Sequence, residues 1–429
     1  MTLPPQTPAP LMPTPLMSER RVSLLGALLV ATGPVAMALY TPSMPSIVTE
    51  LATTEGMVQI TLVVFYAGFA FAQLVAGPLS DALGRRPVVL GFMLLFLVGS
   101  LISMLATSID VLILGRLLQG VGAAVGVTTA RALVRDLFRG QQAARIMNMI
   151  GIILAVAPVI SPTLGGVLLM AGGWRWIFVL MVLYASALVL VVWLSMRETV
   201  ARDLRLLAPL SMWRNYRLLA GNAHFMLATG VVTGAIGAFY TLAVLLPFIL
   251  MDRVGLNPVQ FGLAMLMQSG SFLAGALVMR VLLRYVSAYR LAGMGVGLML
   301  LGSLGTLRLL WAEPDFLSVM LPVAIYAPAI AFVMPAMTTA AMIPFPKIAG
   351  SASALMGFLQ MGAGLAAGIA AALLGNALLG MALFIPALGV LSSLCYLAHR
   401  RLPRLADPQP RRDILPADPP GRSLLPDDD

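Results

Sequence analysis

Twelve apolar runs follow one another along the chain, near 22–42, 57–79, 88–107, 111–130, 146–169, 174–195, 221–248, 259–279, 291–311, 316–340, 348–374 and 377–398. A helix rises 1.5 Å per residue and needs roughly 20 such residues to cross the hydrocarbon core of a bilayer. This repetition therefore assigns the chain to a membrane. Only 10% of the 429 residues are charged and 60% are hydrophobic, whereas soluble domains carry about 25% charged residues. A barrel is excluded because membrane strands alternate polar and apolar residues, and these runs are apolar on every side. The expected fold is all-α, with twelve transmembrane helices embedded in the lipid bilayer.

The net charge of +10 is resolved by position. With both termini in the cytoplasm, 23 of the 27 Lys and Arg fall on that side, Arg175, Arg253 and Arg308 fall on the other, and Arg116 lies within a run. Such asymmetry sets the orientation of a multi-pass protein in a bacterial inner membrane and accounts for the charge without nucleic acid. Lys347 is the one lysine, so no Gly-x-x-x-x-Gly-Lys-Ser/Thr loop exists to bind ATP. His224 and His399 lie in no His-Glu-x-x-His frame; both read as interfacial, with metal binding the lesser reading, and no cofactor is expected. The lone Cys395 excludes an internal disulfide. Ala36-Met-Ala38 matches a signal-peptidase pattern, but cleavage there would leave eleven runs, and the first run is longer than a usual signal core.

The longest internal hydrophilic segment, Arg197 to Arg217, divides the runs six and six. The expected organisation is a disordered lead-in over 1–18, a six-helix bundle over 19–196, a cytoplasmic linker over 197–218, a second, pseudo-symmetric bundle over 219–400 and a disordered tail over 401–429. Gly77-Pro-Leu-Ser-Asp-Ala-Leu-Gly-Arg-Arg86 has a faint counterpart in Gly275-Ala-Leu-Val-Met-Arg-Val-Leu-Leu-Arg284, with Met279 where the first half has Asp81. Duplicated halves commonly place a substrate path at their interface near the midplane.

Gly77 to Pro87 is similar to the signature loop of the major facilitator superfamily. Leu114-Gly-Arg-Leu-Leu-Gln-Gly-Val-Gly-Ala-Ala124 resembles that superfamily's fourth-span motif, and Ala157-Pro158 with Pro162-Thr-Leu-Gly-Gly166 resembles its antiporter motif. Tyr40-Thr-Pro-Ser-Met-Pro45, Ala132-Leu-Val-Arg-Asp136 and Phe345 to Ser353 resemble drug exporters of the bicyclomycin and chloramphenicol resistance (Bcr/CflA) type. The resemblance covers about residues 20 to 400. It implies a major facilitator fold, with two six-helix bundles and proton-driven export of varied small molecules. Where relatives often carry an acid just before Tyr-x-Pro, this chain reads Met37-Ala38-Leu39.

The residues add a mechanical reading. Asp81 and Arg85, flanked by Gly77, Gly84 and Arg86, sit at the end of a helix hairpin, where a carboxylate pairs with an arginine and a helix N-terminus. The resemblance implies a latch on the inward gate; the alternative is that Asp81 only terminates a helix. An arginine within a span marks a path or site by default. Arg116 could instead snorkel outward, but Gln119, Gly120 and Ala123 give it a polar, small-residue face that favours a cavity. Pro158, Pro162, Gly165 and Gly166 in the fifth run suit rocking contacts or close packing. Tyr40, Phe239, Tyr240, Tyr326 and Gln360 are further cavity candidates, on runs that line the path in the family. Most of the 28 methionines are assigned to packing or lipid.

All 17 acids fall outside the membrane interior by this reading. Cationic substrates then lack a buried partner, and neutral or anionic ones are expected. The proton carrier is left to Asp81 or to a charged substrate, with uncoupled transport as the remaining alternative. No covalent chemistry is expected. A metabolite exporter, or a receptor that no longer transports, would use the same architecture.

Overall fold

The computed structural model describes residues 16–204 and 209–403. Disorder expected over 1–15 and 404–429 lies outside the described residues, but Met17 of the lead-in is buried between Val22 and Met196 in the first bundle's packing. Every described regular element is helical. Twelve helices are long and apolar enough to cross a membrane: Glu19–Glu50, Glu55–Leu83, Arg85–Met104, Ile109–Leu137, Gly140–Gly172, Arg175–Ser195, Ala223–Arg253, Pro258–Leu282, Ala288–Leu310, Phe316–Met342, Ala349–Leu374 and Ala377–Arg400. We number them as spans one to twelve.

Capping sets several starts. Thr54 accepts from the Met57 N–H (3.3 Å), and Asn257 with Gln260 forms a reciprocal box, satisfying N–H groups that a helix end leaves unpaired. Some helices outrun the apolar sequence. Span four continues to Leu137 rather than ending near 130, and span five begins at Gly140 rather than 146, because helical hydrogen bonding continues where the chain leaves hydrocarbon. Arg131, Arg135 and Asp136 are thus helical. The linker also contains a helix, Pro209–Ala220, whose Tyr216 hydroxyl donates to the Leu74 carbonyl (2.8 Å); burial raises that phenol's pKa.

The halves repeat one packing plan. Span one packs on five as seven packs on eleven, two on four as eight on ten, and three on six as nine on twelve. Two seams join the halves, span two against eleven and span five against eight. With an even number of spans both chain ends emerge on one side, here termed the terminal face, which also carries the Gly77–Arg86 hairpin.

Both seams pack more tightly away from that face than towards it, where Arg131 still donates to the Ser353 hydroxyl across the halves (3.1 Å). In the half of span five nearer the opposite face, Ser161, Pro162, Gly165 and Gly166 are buried; between 145 and 152 only Ile146 and Ile150 are. Span eight mirrors this, with Phe261, Gly262, Ala264, Met265 and Gln268 buried in one half and only Gly275 and Met279 in the other. A Cβ at Gly166 would stand 2.3 Å from the Pro258 carbonyl oxygen, so the two backbones touch there. In the other seam Gly56 lies against Ala372 and Gly357 against Gln73, whereas Gly77 and Gly350, nearer the terminal face, have nothing within 4 Å of the corresponding position.

Candidate functional site

The Gly77–Arg86 hairpin carries a charge network. Gly84 turns the chain with φ +103, a conformation that side chains rarely adopt. Span three then starts at Arg85, whose guanidinium is buried at 4% exposure. It pairs with Asp81 at 2.5 Å, with Asp136 at 3.1 Å and with the Ser80 hydroxyl at 3.2 Å. Two carboxylates and a hydroxyl offset the cost of burying that cation.

The pairing of Asp81 with an arginine is as the sequence leads one to expect. The helix N-terminus is held differently. Glu198, beyond span six, accepts the Arg85 and Arg86 N–H groups at 2.8 and 3.1 Å, placing an anion at the positive end of the helix. Arg86 turns away and donates to the Trp193 carbonyl (2.7 Å). No local spacing announces Glu198, which is 113 positions from Arg85. All these contacts lie within the first half. Asp81 is 44% exposed and faces a cleft shared with Met212 and Asn215 of the linker helix and Ser351 of span eleven.

Arg116 does not snorkel. It is fully buried and runs sideways into the first bundle. The guanidinium carbon lies 4.4 Å from the ring centre of Tyr40 and 4.6 Å from that of Phe65. Its Nη1 donates to the Gln119 side-chain oxygen (2.8 Å) and the Ala36 carbonyl (3.3 Å). Gln119 in turn donates to Ser100 (2.8 Å) and contacts the Met181 sulfur (3.4 Å). Spans one, two, three, four and six thus meet at this pair.

An aromatic relay leads from there to the second half. Tyr40 bonds Thr61 through its hydroxyl (2.6 Å). Tyr66, next to Phe65 in sequence, meets the Tyr240 ring in a tilted arrangement at 5.2 Å and donates to the Tyr240 carbonyl (3.2 Å). Phe239 packs edge-on against Tyr240 (6.0 Å). Phe239 and Gln360 are half-buried. Tyr326 stands apart: it is buried inside the second bundle and donates to the Gly234 and Ala235 carbonyls, at 3.2 and 2.6 Å. The sequence reading missed Phe65 and Tyr66, although adjacent aromatics in span two were a usable signal.

Of the span-five candidates, Pro162, Gly165 and Gly166 sit in the closed part of the seam, and Pro158 is half-buried at the point where it opens. His224 and His399 meet edge to face at 5.5 Å, with the Tyr289 hydroxyl 2.9 Å from His399 Nδ1. That pairing joins spans seven, nine and twelve and was invisible in sequence. No three His, Cys, Asp or Glu side chains converge as metal ligands among the described residues.

The fold and these motifs define a multi-pass membrane transporter. The family model of the Major Facilitator Superfamily matches residues 25–371, and the chain belongs to that family. Multidrug resistance protein D of Escherichia coli (strain K12) is 31% identical over 405 residues, 88% of this chain and 96% of that protein. A chloramphenicol resistance protein of Pseudomonas aeruginosa is 29% identical over 322 residues, 74% of this chain and 76% of that protein. Among solved structures, a bacterial homologue of the human lysosomal transporter Spinster superposes with a TM-score of 0.68 at 15% identity, covering 89% of this chain and 97% of that one. The chain is therefore a major facilitator transporter with relatives of the multidrug efflux type.

Proposed function

We propose that this transporter exports neutral and anionic amphipathic small molecules, phenicol-like compounds among them, across a bacterial inner membrane by alternating access coupled to protons. The observation that supports the reading is the pair of seams, packed more tightly at one face than at the other, with Arg116, its ring partners Tyr40 and Phe65, and the Tyr66–Tyr240 contact between the halves. With basic residues concentrated on the terminal face, that face is assigned to the cytoplasm, and the described arrangement is the inward-open one. The relatives named for multidrug and chloramphenicol resistance support the substrate class.

Closure at the cytoplasmic face would bring the second half onto the hairpin. Asp81 faces Ser351 across the shared cleft, so closing that gap offers it the N-terminal turn of span eleven as a second partner. In this role it acts as a latch that breaks and reforms in each cycle. Pro158, Pro162, Gly165 and Gly166 form the rocking contact, while Tyr40, Arg116, Gln119, Phe239, Tyr240 and Gln360 are the proposed substrate-side residues; Tyr326, buried and bonded within the second bundle, is assigned to packing. Every described acid lies at or near a helix end. A cationic compound would therefore approach Arg116 without a buried carboxylate to offset it. Asp81 is the acid best placed to exchange a proton with the opening.

The test is uptake into everted vesicles of a phenicol, an anionic compound and ethidium, with and without a protonophore. Protonophore-sensitive uptake of the first two and weak ethidium uptake are expected. Robust, protonophore-sensitive ethidium transport that survives Arg116→Ala would overturn the substrate assignment.

A further inference from the structure

The buried arginine of span four is only partly satisfied, and the unsatisfied part has a definite shape. Nη1 holds two acceptors, whereas Nε and Nη2 are buried with no hydrogen-bond partner. Those two nitrogens form one edge of the guanidinium, whose parallel N–H groups bind an oxyanion in bidentate fashion. An arginine stays protonated in proteins, so the charge cannot be shed. No ion pair among the described residues involves Arg116. The segment beside it supplies the Ala36 carbonyl and then Met37, Ala38 and Leu39, with no acid.

The surroundings show what is missing. The rings of Tyr40 and Phe65 lie within cation–π distance of the guanidinium. A buried charge without a counter-charge is strongly unfavourable, and cation–π contact alone does not offset it. The Tyr40 and Phe65 rings lie 4.4 and 4.6 Å from the guanidinium carbon and stabilise the cation, but they carry no negative charge, and Nε and Nη2 remain without a hydrogen-bond acceptor. A compact acceptor of negative charge on that edge would complete the site.

We infer that Arg116 is an anion-binding site within the first bundle, its Nε and Nη2 edge taking one compact monovalent anion, a carboxylate or a halide, between Tyr40 and Phe65. The inference deepens the proposed preference for anionic substrates and rests on that reading for a carboxylate that arrives as cargo. A halide drawn from bulk solution would occupy the same edge independently of transport.

The experiment uses the purified full-length protein in lipid nanodiscs, in a bulky organic sulfonate buffer at constant ionic strength. Radiolabelled chloride and radiolabelled benzoate are titrated separately and then against each other, and thermal unfolding is followed in parallel. Saturable binding of either probe at one per chain is expected, with a rise in melting temperature that saturates at the same midpoint. Mutual displacement places both on one edge; binding of benzoate alone identifies the ligand as a carboxylate. Arg116→Lys keeps the charge but loses the fork, and should weaken binding about ten-fold, while Arg116→Gln should abolish it. If neither probe binds the wild-type protein, or if Arg116→Lys binds as well as wild type, the site assignment is overturned. Loss of export with binding intact would fault the transport reading and leave the anion site standing.

Discussion

The hairpin between spans two and three and its counterpart between spans eight and nine occupy equivalent places in the two halves, yet they are stabilised in opposite ways. The first buries Arg85 among Asp81, Asp136 and Ser80 and gives the start of span three to Glu198. The second buries Met279 against Leu291 and Phe332, leaves Arg280 and Arg284 exposed, and starts span nine at Ser287 without a side-chain cap. The two halves share the helical frame, while the charged device is present in the first hairpin and absent from the described second one. An apolar contact slides at little cost, whereas an ion pair has discrete made and broken states. The first hairpin therefore carries the proposed switching role, while the second offers no ion pair to switch.

Substitutions can break this contrast. The largest effect is expected from Arg85→Leu, which leaves Asp136 without its buried partner and should cost about 3 kcal/mol; membrane abundance and export should both fall, measured by immunoblot and vesicle uptake. Normal abundance would show the network to be dispensable for folding. Asp81→Asn comes next. Arg85 keeps Asp136, so abundance should stay near wild type while export is lost, since the latch needs a charge. Wild-type export would remove the latch, and loss of the protein would mean that Asp81 only terminates its helix.

Pro158→Ala with Pro162→Ala should lower turnover more than it weakens substrate affinity, because straightening span five stiffens the seam where it opens. Unchanged turnover would contradict the rocking role. A smaller effect sharpens the hairpin comparison directly. Gly84→Ala forces a side chain into φ +103 and sets a Cβ 2.6 Å from Glu198 Oε2, so a stability loss of about 1–3 kcal/mol is expected. Ser287→Ala at the equivalent turn should stay within about 0.5 kcal/mol. Equal losses in thermal unfolding would erase the distinction between the two turns.

The smallest effect lies on the opposite face, where the contrast reverses. Ser108 caps span four through a 3.4 Å bond, while Asp315 caps span ten at 2.6 Å in a reciprocal box with Ser318. The Ser318 hydroxyl and N–H hold the Asp315 carboxyl below its ordinary value of 3.8. With the folded pKa lowered, its contribution is complete above that ordinary value and is lost as pH falls through the lowered one. Asp315→Asn should flatten a small acid-side decline in melting temperature. An identical pH profile in the variant would show that the cap carries no such linkage.

Much of the architecture was legible because it rests on local, one-dimensional properties. Apolar length sets the spans, the divide at Arg197 sets the halves, and Gly77–Pro87 with Leu114–Ala124 points to the family. Helix ends were less so, since hydrogen bonding carries spans four and five beyond their apolar runs. Arg116 was found through the cost of burying charge inside a membrane, Gln119 through its helical spacing from Arg116, and Tyr40 through the place of its span in the family. Their neighbours Phe65, Ser100 and Met181 were not, because an aromatic, a serine or a methionine in a span is unremarkable until packing gives it a partner.

The sequence by itself therefore determined the medium, the number of crossings, the duplicated halves and the candidate charges, all of which follow from hydropathy, motif spacing and the expense of burying an ion. Only the tertiary structure decided that Glu198 rather than Asp81 holds the start of span three, that His224 meets His399, that both seams pack more loosely towards one face, and that Arg116 turns inward with one edge unpaired. Each of those depends on distances between residues far apart in the chain. Such distances arise when whole helices pack, and no residue-by-residue property encodes them.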